Sequence, residues 1–273
     1  MTRKSPETPG MGAAILSFFR EERVLPPSLS LRISKSSAEP ALCLSLLDLT
    51  ELEELLAAPE GESLLCTHLS PAERSRYDGF TYPGRRREWL GGRLACKAAI
   101  LNLAGSTATH TMPELAIGSA ANGAPILRCS SPAASPLPAI SISHSNRYVA
   151  AMAAWAESCG IDIQKTTDQI LRVVDRFAAA SEVLLLRKTL PHLEETQRLT
   201  LLWAAKEALK KGVLHDQPAV FQGVTLHALD NGPDLVLRLH HPGGGDRPTR
   251  VNAVALDDYF LAYTVEACHA GTP

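Results

Sequence analysis

Residues able to do chemistry gather in three blocks: S-I-S-H-S-N-R at 141–147, C-G-I-D-I-Q at 159–164 and W-A-A-K-E-A-L-K-K at 203–211. The middle block is an apolar run broken by Asp162 and Gln164. Side chains on a strand repeat every second residue, so these two share a face, and a largely apolar strand presents a carboxylate beside an amide. A carboxylate in such surroundings must be paired or metal-bound, because desolvating it alone is costly. An ion pair with a residue such as Arg172 or a bound metal would each meet that need. In the third block Trp203, Glu207 and Lys211 stand at i, i+4 and i+8 and form one row of a helix. An exposed Glu–Lys pair at this spacing contributes only about 0.3–0.5 kcal/mol. Trp203 in the same row argues that the face turns inward, toward a cleft. Lys206 and Lys210 lie off the row and read as solvated, as does the run Arg85, Arg86 and Arg87. His144, between Ser143 and Ser145, reads as the polar end of a strand. A serine hydrolase built there is disfavoured, since neighbours on a strand point to opposite faces and no G-x-S-x-G turn is present.

The elements that must position these residues are legible from periodicity and punctuation. Residues 28–33 and 41–47 read as strands and 49–58 as a short acidic helix. Ser70-Pro71-Ala72-Glu73 is a helix start with a capping Ser, Pro at the first helical position and Glu three residues on. A longer helix is expected over 84–103, ended by Gly105. The stretch 120–125 is a turn, 139–143, 148–155 and 159–163 are strands, and 169–179, 181–190 and 194–211 are helices. Asn231-Gly232 marks a hairpin between strands at 224–229 and 235–240. Gly243-Gly244-Gly245 reads as a second, looser hairpin connection, since no nucleotide-binding glycine motif accompanies it. Residues 1–28, with four prolines and little periodicity, read as a loosely held extension. A faint internal echo relates Leu90–Lys97 to Trp203–Lys210 and would place Leu94 where Glu207 stands.

Composition removes several classes. The 273 residues are 45% hydrophobic and 21% charged, the usage of a globular protein. A net charge of −2 with no basic domain gives no footprint for nucleic acid. Cys43, Cys66, Cys96, Cys129, Cys159 and Cys268 form no C-x-x-C pair, so neither zinc nor a disulfide framework is indicated, and they read as thiols of a reducing compartment. The apolar stretch from Met11 to Phe19 is too short to span a bilayer and is followed at once by charges, so a cytoplasmic, membrane-free protein is expected.

In their order and separations, the S-H-S, G-I-D-I-Q and W-A-A-K-E-A-L-K-K blocks resemble the 4′-phosphopantetheinyl transferase superfamily, of the long Sfp-like type. The likeness extends upstream to P-A-E-R-S-R-Y-D-G-F and R-R-E-W-L-G-G-R-L-A-C-K. It implies an α+β fold of two similar α/β halves related by a pseudo-twofold, here 29–145 and 146–273, in a monomer. It implies transfer of phosphopantetheine from coenzyme A to a serine of an acyl or peptidyl carrier protein, with release of 3′,5′-ADP. Carried over residue by residue, Asp162 and Glu207 would bind Mg²⁺ (or Mn²⁺), with Gln164 as a third, neutral ligand where the family has an acid. Arg76, Ser143, His144 and Lys211 would meet the phosphates of coenzyme A. Glu207, directly or through a water on the metal, would take the serine proton, and Lys211 would neutralise or protonate the leaving phosphate. Two departures stand out. Gln164 removes one charge, and Ser119 and Ala124 stand where relatives often carry a basic residue. They keep alive a second reading, a non-catalytic coenzyme A or nucleotide-binding relative.

Overall fold

The computed structural model describes residues 18–22, 29–105, 110–129, 137–214, 221–232 and 234–267. Its first sheet contains β1 (Arg20–Glu22), β2 (Leu31–Ser36), β3 (Leu42–Asp48), β6 (Ala139–Ser145) and β7 (Tyr148–Ala154), in the order β1-β2-β3-β7-β6. Its second contains β8 (Ser158–Lys165), β9 (Thr225–Asn231), β10 (Leu235–His240), β11 (Thr249–Leu256) and β12 (Tyr259–Glu266), in the order β8-β12-β11-β10-β9. A separate hairpin pairs β4 (Leu115–Ser119) with β5 (Pro125–Cys129). All these pairings are antiparallel. The helices are α1 (Leu49–Ala57), α2 (Gly61–Cys66), α3 (Pro71–Asp78), α4 (Pro83–Ala104), α5 (Ala180–Thr189) and α6 (Glu195–Val213).

Apart from α1 and α2, which follow β3 in the first half alone, one order of elements occurs twice: β3, α3, α4, β4, β5, β6, β7 is repeated by β8, α5, α6, β9, β10, β11, β12. The repeat is visible at side-chain level. Glu73 of α3 accepts from the backbone N–H of Ser70, from the Lys97 ammonium on α4 and from the N–H of Ile117 on β4. Glu182 of α5 accepts from the N–H of Ala179, from Lys206 on α6 and from the N–H of Leu226 on β9. Each lysine also donates to a carbonyl 29 residues upstream, that of His68 or of Phe177. Both Glu-to-Lys separations are 24 residues and both Glu-to-strand separations 44. From His68 to Ile117 the first half therefore runs at one constant offset from the second, which makes Lys97 the counterpart of Lys206. This shifts the echo seen in the sequence by one helical turn: Ala98, not Leu94, occupies the place of Glu207, and Asn102 that of Lys211. It also corrects the reading of Lys206 as solvated, since that side chain is 1% exposed in its pair with Glu182.

The two sheets meet through equivalent strands. Leu44 and Leu46 of β3 with Ala150, Met152 and Ala154 of β7 pack on Cys159, Ile161 and Ile163 of β8 with Tyr259 and Leu261 of β12. Equivalent surfaces meeting face to face is the arrangement of an isologous dimer interface, here within one chain. The opposite faces of the sheets pack on α4 and on α6. Because β7 belongs to the first sheet, the chain crosses between sheets after Ala154 rather than near residue 145.

Other expectations are adjusted. The segment 169–179 forms two short 3-10 turns, Asp168–Arg172 and Val174–Arg176, not an α-helix. Phe19 is buried in the core between the sheets and β1 pairs with β2, so the end of the stretch read as a loose extension is built into the first half. The triple-glycine run joins β10 to β11 as a hairpin, with Gly243 and Gly245 at positive φ, where glycine is unstrained.

Candidate active site

The site is set by how closely β8 approaches α6. A Cβ on Gly160 would lie 2.0 Å from the Ala208 carbonyl oxygen, so only glycine lets the strand lie this close. Two residues on, Asp162 therefore faces the same helix, which carries Glu207 and Lys211. Ile161 and Ile163, on the other face of β8, join the core between the sheets. The alternation expected for this strand is thus the one found, with Gln164 sharing the Asp162 face at its half-buried end.

Lys211 reaches across with all three donors engaged. Its ammonium donates to Asp162 Oδ1 at 2.7 Å, to Ser143 Oγ at 2.9 Å and to the Ile161 carbonyl at 3.2 Å. Ser143 Oγ in turn donates to Asp162 Oδ1 at 2.7 Å. Arg172 is exposed, and the cation paired with Asp162 is Lys211. Asp162 Oδ2 is buried with no hydrogen-bond partner. Burial, then the Asp162 carboxylate, raise the Glu207 pKa above the ordinary carboxylate range, with Lys211 and Lys210 opposing. An orphaned carboxylate oxygen beside a second acid that resists ionisation is a site short of positive charge. Two carboxylates and an amide oxygen are the hard donors that suit Mg²⁺ or Mn²⁺. Among the described residues no three or more His, Cys, Asp or Glu are grouped so as to hold a metal ion.

A cavity of about 680 Å³ opens in the first half, between α3, α4, the β4–β5 hairpin and β6. Arg76 and His144, separated by most of that half in sequence, both line it. So do Arg93 and Arg128, which the sequence motifs did not single out, and Arg85. Arg93 lies 4.5 Å above the Trp89 ring, its Nε is buried without a partner, and burial lowers its pKa. Arg85 belongs to the run read as solvated. Of its neighbours, Arg86 pairs with Glu62 and sits over Tyr77, and Arg87 pairs with Glu53, so these two are engaged while Arg85 is exposed. Ser119 and Gly123 also line the cavity, and Arg128, opposite Ala116 on the same hairpin, adds positive charge to its wall. Two acids line this wall: Glu73, which is paired with Lys97, and Glu88, 3.8 Å from His144 Nδ1. Ser143 is on the other side of β6, against Asp162 and Lys211, and not among the residues lining the cavity. The sequence signal for Arg85 and Arg93 is their i, i+4 spacing about Trp89 on one helix.

Comparison with known proteins places the second half. Residues 158–264 match the family model described as the 4′-phosphopantetheinyl transferase superfamily. No curated protein matches the chain. Among solved structures, the chain is similar to a holo-(acyl-carrier-protein) synthase from Bacillus anthracis str. Ames in complex with CoA (3′,5′-ADP), at 22% identity and TM-score 0.35, over 41% of this chain and 92% of that one. It is also similar to an ACPS–CoA complex from Chronobacterium ammoniagenes, at 22% identity and TM-score 0.34, over 41% of this chain and 93% of that one.

Proposed function

We propose, from the match of residues 158–264 to the 4′-phosphopantetheinyl transferase superfamily, that the protein moves the phosphopantetheine arm of coenzyme A onto a serine of an acyl or peptidyl carrier protein. The observation that carries the reading is the buried, unpartnered Asp162 Oδ2 beside Glu207, inside the matched segment. Asp162, Glu207 and Gln164 would hold a Mg²⁺ ion, whose charge would offset that of the coenzyme A pyrophosphate. Arg76, Arg85, Arg93, Arg128 and His144 line a cavity whose positive charge suits the nucleotide phosphates. Glu207 takes the proton of the attacking carrier serine. The serine oxygen bonds to the β-phosphorus, the bond from that phosphorus to the bridging oxygen breaks, and its electron pair leaves with 3′,5′-ADP. Lys211, anchored by Asp162 and Ser143, places a fixed positive charge beside the departing phosphate.

The test is mass spectrometry of an apo carrier protein incubated with this protein, coenzyme A and Mg²⁺. The expected result is a gain of one phosphopantetheine arm, suppressed by a chelator. Coenzyme A binding without any gain on fatty-acid, polyketide, peptide or lysine-pathway carriers would instead favour the non-catalytic relative, the reading that Gln164 sustains.

A further inference from the structure

β6 and β8 are the outermost strands of their respective sheets among the described residues, and they lie against each other without a backbone ladder. Alternate serines of β6 bridge the seam. Ser141 Oγ accepts the Ile161 N–H at 3.1 Å and Ser145 Oγ accepts the Lys165 N–H at 3.1 Å. Ser143, between them, departs from the series: its hydroxyl donates to the Asp162 carboxylate and accepts from Lys211. The first half of the molecule thus supplies a side chain that grips the carboxylate of the second. Ser143 is 6% exposed and Asp162 5%, so neither bond competes with bulk water.

We propose that Ser143 is a positioning residue for the cation site, a role that rests on the function proposed above. Its hydroxyl and Lys211 together hold Oδ1, which fixes the carboxylate rotation and leaves Oδ2 as the oxygen presented to a cation. Ligating carboxylates are ordinarily held in this way by hydrogen-bonded neighbours, and losing such a neighbour lowers metal affinity by about 10–100-fold. Lys211 remains in the Ser143→Ala protein, so the effect belongs at the lower end of that range. Ser141 is the internal comparison, because it bridges the same seam but bonds only backbone.

The experiment uses full-length, metal-stripped protein. Mn²⁺ binding is followed by the loss of the free-ion electron paramagnetic resonance signal, with saturating coenzyme A and no carrier protein. Coenzyme A affinity is measured separately by calorimetry. Ser143→Ala should weaken Mn²⁺ binding about tenfold and leave coenzyme A affinity within about twofold. Ser143→Thr, which keeps a hydroxyl, should retain Mn²⁺ affinity. Ser141→Ala should lower the melting temperature while binding Mn²⁺ as the unaltered protein does. Unchanged Mn²⁺ affinity in a folded Ser143→Ala protein overturns the proposal and leaves the cation site standing. Equal losses in Ser141→Ala and Ser143→Ala also overturn it, by assigning the effect to the seam as a whole. If the unaltered protein takes up no Mn²⁺, the cation site itself is wrong and the role of Ser143 falls with it.

Discussion

Asp162 has two oxygens in different situations, one gripped by Lys211 and Ser143 and one buried and bare. That asymmetry underlies the predictions that belong to single residues. Asp162→Ala or Glu207→Ala should abolish carrier modification while circular dichroism and the melting transition stay near those of the unaltered protein; near-normal rates at low Mg²⁺ in both variants would remove the metal assignment. Gln164→Glu adds a hard anionic oxygen in nearly the same volume. Calorimetric titration with Mn²⁺ in the absence of coenzyme A should show tighter binding for that variant, and equal affinities would mean that residue 164 does not face the ion. In the cavity, a charged hydrogen bond to phosphate contributes about 1.5–3 kcal/mol. Arg93→Ala and Arg128→Ala should therefore each raise the KM for coenzyme A about tenfold or more. The cysteines carry none of this chemistry. Burial pushes the Cys96 thiol up to about 12 and raises Cys159 as well, so both stay protonated at pH 8. Alkylation of the native protein should spare these two, and mass mapping should find them modified only after denaturant is added.

Among the elements, the short and long helices of each half are locked to the following strand by one buried carboxylate and one buried ammonium, Glu73 with Lys97 and Glu182 with Lys206. Burial lowers the pKa of each lysine while its glutamate opposes the shift. Removing one member of such a pair strands a charge in the core, at a cost of about 3–5 kcal/mol. Lys97→Ala and Lys206→Ala should each lose that much in urea unfolding. Lys206→Ala should also lower transfer beyond its effect on stability, because the same helix turn carries Glu207. Equal activity of the two variants per folded molecule would show that the second lock does not position the site. These lysines were invisible as core residues in the sequence. Helical periodicity sets Lys206 off the Trp203 row, and only the arrival of a glutamate from another helix makes the burial of either lysine affordable.

For the whole molecule, the consequence of repetition is an interface made inside one chain. The faces of β8 and β12 that meet the first sheet carry Cys159, Ile161, Ile163, Tyr259 and Leu261. A fragment of residues 146–273 would expose that surface and separate Asp162 from Ser143. It should show no cooperative unfolding, should bind a hydrophobic dye and should transfer nothing; a soluble, active, monomeric fragment would show that the first half is dispensable.

Much of this protein was written locally. Alternation in C-G-I-D-I-Q put Asp162 and Gln164 on one face, the helical row joined Glu207 to Lys211, and Ser70-Pro71-Ala72-Glu73 announced a capped helix, because each depends only on neighbours a few residues away. What depended on distant partners could not be read. The pairing of Asp162 with Lys211 and Ser143 spans 49 and 19 residues, and the sequence offered Arg172 equally well. The register between the halves came out one helical turn wrong, since small apolar residues match at several offsets and only the two buried Glu–Lys locks fix one. Ser143 read as a neighbour of His144 in function, yet successive strand side chains point apart, and what lies on each side of β6 was decided by how the sheets dock. Tertiary packing chose the partners because desolvated charges are matched across space, not along the chain.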